Sequence, residues 1–228
     1  MDPILTGIWR WESQDEEGVI MASYAIEDPG SGTLVLDPAW DAVAVSRLEK
    51  MTRPLRIVVT TGNHIRDARR YRSRLAVPIA ASAATARDME DANRVLEPGE
   101  RLPGGWEVVA APGVYEGEVA LYRAREETAE KDAAVLYVGD VVLGVSGPEG
   151  EGEAGVLAEA SRGMGKEGEE APDTPHLVLL PERLVADPAR LRDTLFYLSR
   201  MDVDVLLMGH GRPILAEAGS KLSQLLRR

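Results

Sequence analysis

The chain has 228 residues, 44% hydrophobic and 28% charged, with a formal net charge of −12 and no cysteine. That length suits one large domain that buries a core without staples, and the missing cysteine excludes disulfides and thiolate metal sites. The acidic balance disfavours a nucleic-acid partner, no apolar run approaches a membrane span, and "MDPILTGIWRWESQDEEG" carries no basic leader region, so a cytoplasmic protein with no membrane partner is expected.

From the N-terminus, "GIWRWES", "GVIMASYAIE" and "GTLVLDP" read as short strands, with "EDPGSG" as a hairpin turn between the last two. Asp37-Pro38 closes a strand and is expected to open a helix, with Val43, Leu48 and Met51 on one face. "RPLRIVVTT" is a short apolar strand of the type buried on both faces. It runs into "TTGNHIRDARR", and "IRDARRYRSRL" is expected to be a helix whose arginines form a solvated face. Then come the strand "VPIAAS" and a polar helical stretch, "ARDMEDANRVL", that ends at Pro98-Gly99. "GGWEVVAAPG", "GEVALYRAR" and "AAVLYVGDVVL" read as three successive strands.

Residues 147–175 are dominated by glycine and glutamate and are expected to be a flexible insertion, not a linker to a second domain. Within them "GMGKE" has the outline of a phosphate loop. Glu167 stands where a hydroxyl residue is needed, and Ala160 stands where the first glycine belongs, so that reading is rejected. Beyond the insertion "HLVLL" is a strand. Asp187-Pro188 caps a helix with Leu191, Leu195 and Leu198 on one face. "VDVLLMGHG" is a strand ending in a Gly-His-Gly turn, and "AEAGSKLSQLLRR" is a terminal helix with Leu222, Leu225 and Leu226 inward. Strands followed by interleaved helices, twice over, predict a layered α/β sandwich, a single domain over 1–228 with helices outside two sheets.

Four strand ends run apolar and then stop in a turn that holds glycine and a polar side chain: "VVTTGNHIRD", "AAPGVYEG", "LYVGDVV" and "LLMGHGRP". Rigid strands aim such loop side chains into one place. With "LVLDP" before them, these segments resemble the metallo-β-lactamase-fold hydrolase superfamily, glyoxalase II-like thioesterases included. The resemblance spans residues 20–215 and implies a four-layer αββα sandwich. The family pattern is a strand ending in aspartate, then T-H-x-H-x-D-H, P-G-H-T-x-G, G-D and G-H-G, and it holds two metals. With Thr61 on the motif threonine, Gly62, His64, Arg66 and Asp67 fall on the four ligand positions. Val114 replaces the histidine of the P-G-H turn, while Asp140 and His210 stand where the family has its bridging aspartate and final histidine. Aligning Thr60 instead puts Asn63, Ile65 and Arg66 on ligand positions and keeps less of the pattern.

The resemblance therefore implies a relative whose two-metal site is largely lost. Its pocket candidates are His64, Arg66, Asp67, Val114, Tyr115, Asp140 and His210. The first expectation is a metal-free binding or regulatory protein with no cofactor and a small-molecule ligand. In it the Arg66 guanidinium replaces a cation and neutralises Asp67 or Asp140. The alternative is a hydrolase of esters, thioesters or similar small substrates that uses one divalent metal (Zn, Mn or Fe) on Asp67, Asp140 and His210. Plain readings stay open beside these: His64 bonding backbone at a turn, Asp67 as an acid facing the helix dipole, Asp140 closing a turn through its own side chain. His176, at the start of a strand, is read as structural or surface.

Overall fold

The computed structural model describes residues 1–14, 19–126, 133–145 and 175–227. Among these residues the first sheet contains, in sequence order, β1 (Asp2–Leu5), β2 (Ile8–Gln14), β3 (Ile20–Asp28), β4 (Gly32–Leu36), β5 (Leu55–Val59), β6 (Ile79–Ser82) and β7 (Arg94–Leu96). Pairing is antiparallel up to β4 and parallel from there on. Parallel neighbours need a crossover, and α1 (Ala42–Leu48), α2 (Ala68–Leu75) and α3 (Ala83–Asp88) supply it. The second sheet is built from β8 (Glu107–Ala110), β9 (Val119–Arg123), β10 (Val135–Val138) and β13 (Val205–Met208), in the spatial order β13-β10-β9-β8. Strands β11 (Leu143–Val145) and β12 (His176–Val178) pair separately. Helices α4 (Pro188–Leu198) and α5 (Ala218–Leu225) complete the chain.

Side chains alternate along a strand, so each central strand feeds two cores. Leu34 and Leu36 of β4 and Val58 of β5 meet Val135 and Tyr137 of β10 and Val205 and Leu207 of β13 between the sheets. Their sequence neighbours Val35, Ile57 and Val59 join Ala44, Leu48 and Tyr71 of the first helices. Leu136, Val138, Leu206 and Met208 join Leu191, Leu195 and Leu222 of the last two. The layers run helix, sheet, sheet, helix, as the sequence predicts, and strands buried on both faces account for the unbroken apolar runs.

Several expected boundaries move. α1 is capped by Asp41, whose side chain accepts from the Ala44 amide at 2.6 Å. Asp37 does not cap it, because its carboxylate turns into the interior, and Val43 is consequently exposed. "ARDMEDANRVL" divides into the end of α3 and the edge strand β7, and "AAVLYVGDVVL" divides into β10 and β11 at Gly139-Asp140. The first residues add β1, which was not expected. His176 is half-buried and opens β12 opposite Val145, a structural position. The expectations for 147–175 fall, up to residue 174, outside the described residues. Among the described residues no helix is long and apolar enough to cross a membrane.

Candidate functional site

Asp37, Thr60-Thr61, Gly139-Asp140 and Gly209-His210 directly follow β4, β5, β10 and β13, and the contacts between them gather at one edge of the two sheets. Asp37 is the hub. Its buried carboxylate accepts from the Thr60 amide (2.8 Å), Thr60 Oγ1 (2.6 Å), His64 Nδ1 (2.9 Å) and the Tyr137 hydroxyl (2.5 Å). Its φ of 44° lies in the left-handed region, a strained conformation for aspartate that these donors hold in place. Burial alone raises its pKa, but the hydrogen bond and charge of His64, with Arg66 and Thr60, bring it below the ordinary carboxylate value.

His64 closes the short turn Gly62–His64 and is fully buried. With Nδ1 on Asp37, its Nε2 lies 3.0 Å from Asp140 Oδ1. That approach is off the N–H axis, so these two atoms form a close ion pair without an aligned hydrogen bond. Burial and the Arg66 charge pull the imidazole pKa down, yet Asp140 and Asp37 outweigh them and hold it at about 9. Asp140 in turn donates its amide to Glu118 Oε1 at 2.9 Å and accepts from Asn63 Nδ2 at 3.2 Å. Burial pushes the Asp140 carboxyl up, but His64, His210 and Arg66 hold it well below the usual range.

His210 is the partly open member. Its Nδ1 lies 2.9 Å from the Ile20 carbonyl and so carries the proton, leaving Nε2 as the lone pair of the neutral ring. Nε2 is 3.6 Å from Asp140 Oδ1 and 3.4 Å from Arg66 Nη2. Burial lowers the His210 pKa, Asp140 opposes that, and Arg66 and His64 add to the lowering, for a value of about 4.

Arg66 points inward but not to the acids expected for it. Among the described residues it forms no direct ion pair with Asp67 or Asp140. Its guanidinium donates to the carbonyls of Ala22 (2.8 Å), Asp37 (2.9 Å) and Gly209 (3.1 Å). The reason is geometric. A φ of 42° at Arg66 turns the side chain back across the ends of β3 and β4, where carbonyls face it.

No protein-family model matches the chain, and no curated protein matches its sequence. Solved structures do match it. The DIM-1 metallo-β-lactamase aligns with 99% of this chain and 94% of its own, at 16% identity and a TM-score of 0.65. A metallo-β-lactamase from Pontibacter korlensis aligns with 99% of this chain and 97% of its own, at 16% identity and a TM-score of 0.64. A Cronobacter sakazakii metallo-β-lactamase with a HARLDQ motif covers 91% of this chain and 79% of its own, at 14% identity and a TM-score of 0.57. The chain has the metallo-β-lactamase fold.

On this metallo-β-lactamase fold, His64, Arg66, Asp140 and His210 come together and the other candidates do not. Asp67 Oδ2 accepts from the Trp40 amide at 2.8 Å and ties down the connection after β4. Val114 is buried in the outer core with Val138 and Leu191. The Tyr115 ring sits against Gly62, where any Cβ would overlap it, and its hydroxyl donates to Asp88 at 3.0 Å. The donor atoms that converge are those of His64, Asp140 and His210, all within 4.8 Å of one another. His64 thus takes the place expected for Asp67 in that group.

The sequence reading missed Glu118. It is buried, with Oε1 on the Asp140 amide and Oε2 without a hydrogen-bond partner. Burial and the Asp140 charge raise its pKa to about 8. An acid immediately before the apolar "VAL" of β9 was the available signal.

Proposed function

We propose that this protein is a metallo-β-lactamase-fold hydrolase relative that works without a metal, as a binding or regulatory protein whose former two-metal centre has become a closed ion-pair network. One observation carries the reading: buried His64 lies between two carboxylates, with Nδ1 hydrogen-bonded to Asp37 at 2.9 Å and Nε2 3.0 Å from Asp140 without an aligned hydrogen bond. Between two carboxylates, which raise its pKa to about 9, the imidazolium is the favoured form, and that form has no lone pair to give. His210 keeps a lone pair, but Arg66 presents a fixed positive charge to it. The charges already balance, with Asp37 and Asp140 set against His64 and Arg66. The family's two-metal set does not fit these residues. Tyr115 fills the space of the first motif histidine, Asp67 is engaged elsewhere, and Val114 belongs to the outer core. What the site offers a small ligand is its rim: exposed Asn63, part-exposed His210 and the Tyr115 ring.

A second reading, a hydrolase of esters or thioesters with one metal, draws on a separate observation. His64 Nε2 and Asp140 Oδ1 are buried without aligned partners, and both histidines have Nδ1 held by an acceptor, as ligand histidines do. Elemental analysis of protein purified without chelator separates the two. The metal-free reading expects far less than one equivalent of any transition metal and no change in thermal stability on adding EDTA. One equivalent of zinc, manganese or iron that disappears in His210→Ala establishes the second reading and ends the first.

A further inference from the structure

The Gly209–Gly211 turn belongs to the second sheet but is held from the first. Gly209 O accepts from Arg66 Nη2 at 3.1 Å and from the Ala22 amide at 2.9 Å. Gly211 O, on the other side of His210, accepts from Arg10 Nη2 at 2.7 Å. Arg10 lies on β2 and is 1% exposed, so this guanidinium is inside the protein. Its charge meets Glu12 at 2.5 Å, and its Nε lies 3.4 Å from the Tyr24 hydroxyl, which itself donates to Met208 O at 3.0 Å. The two glycines of the turn also leave no room for a side chain. A Cβ at Gly209 would overlap the His64 ring, and one at Gly211 would overlap the Gly144 carbonyl.

We infer that Arg10 and Arg66 are a pair of positioning residues that cross-link the His210 turn to the first sheet, a mechanical task that an ion bridging the two sheets would otherwise perform. The inference rests on the metal-free reading above. A guanidinium suits the task because its planar fork donates to several carbonyls at once while keeping its charge. Arg66 spans Ala22 and Asp37 on the first sheet and Gly209 on the second. Arg10 fastens the opposite flank, and between them the imidazole is left with Nδ1 on Ile20 O and Nε2 toward Arg66. A lysine in either place keeps the charge and loses the fork.

The test compares Arg10→Lys and Arg66→Lys with the full-length wild type, with Arg66→Met as a charge-removing variant. Nitrogen-15 spectra of the imidazole read the His210 tautomer, and amide hydrogen exchange reads the turn. Thermal unfolding with and without EDTA runs alongside. Each lysine variant is expected to speed exchange of the Ala22 amide, whose acceptor is Gly209 O, about tenfold. Exchange in β5 should stay unchanged, and the fixed Nδ1–H signature should be lost. If both lysine variants keep that signature and wild-type exchange, the cross-link is refuted while the metal-free reading stands. If EDTA alone lowers the wild-type melting temperature, the metal-free reading falls, and the exchange data still judge the arginines.

Discussion

Asp37 shows how much one side chain carries. Four donors converge on a fully buried carboxylate, and one of them is the His64 ring, whose raised pKa favours its charged form. Asp37→Asn keeps the shape but turns an amide NH₂ toward some of those donors and leaves His64 with a single counter-ion. Breaking a buried pair in this way is expected to cost about 3–5 kcal/mol in urea unfolding, because an uncompensated buried charge remains. A loss under about 1 kcal/mol would mean that the hub is dispensable. At this scale the motif order was enough to pick out His64, Asp140 and His210. Glu118 and Tyr137 escaped it, because their polar ends meet the Asp140 amide and the Asp37 carboxylate, partners that packing brings to them and no motif position marks.

Among the elements, the turn before α2 and the turn after β8 meet in one tight contact. Position 62 is a glycine, and the Tyr115 ring lies where its Cβ would be, anchored at its far end by Asp88. Gly62→Ala therefore overpacks the contact and should destabilise by about 1–3 kcal/mol. Adding Tyr115→Ala should recover part of that loss, giving a measurable coupling in a double-mutant cycle. Strictly additive losses would show that the ring moves aside freely. Strand runs were legible here because burial on both faces writes itself as continuous apolar sequence. Helix starts were less so. Asp37 and Asp41 both precede plausible helices, and what separates them is that the Asp37 carboxylate is claimed by partners far along the chain.

For the whole molecule, the buried titratable groups set the pH dependence of stability. His64 is raised from 6.5 to about 9, so its contribution is complete below pH 6.5 and is lost as pH rises through 9. Glu118 is raised from 4.5 to about 8, so the folded state keeps a proton that the unfolded chain releases, and stability falls with pH across that range too. His210, lowered from 6.5 to about 4, acts oppositely between those values, and Asp37 and Asp140 lose their contribution as pH falls below the ordinary carboxylate value of 3.8. Chemical denaturation is thus expected to show a broad maximum ending near pH 6.5 and a decline toward pH 9. Glu118→Gln should flatten the part of the decline below pH 8. Stability that still climbs between pH 7 and 9 would contradict this assignment of charges. By itself the sequence determined the layered sandwich and the strand ends that form its edge, since alternation, apolar runs and turn residues are local properties. Only the tertiary structure decided which carboxylate faces which ring nitrogen, where Arg66 turns, and that Arg10 reaches a carbonyl 201 residues away. Those partners are chosen by packing between the sheets, and no local pattern encodes them.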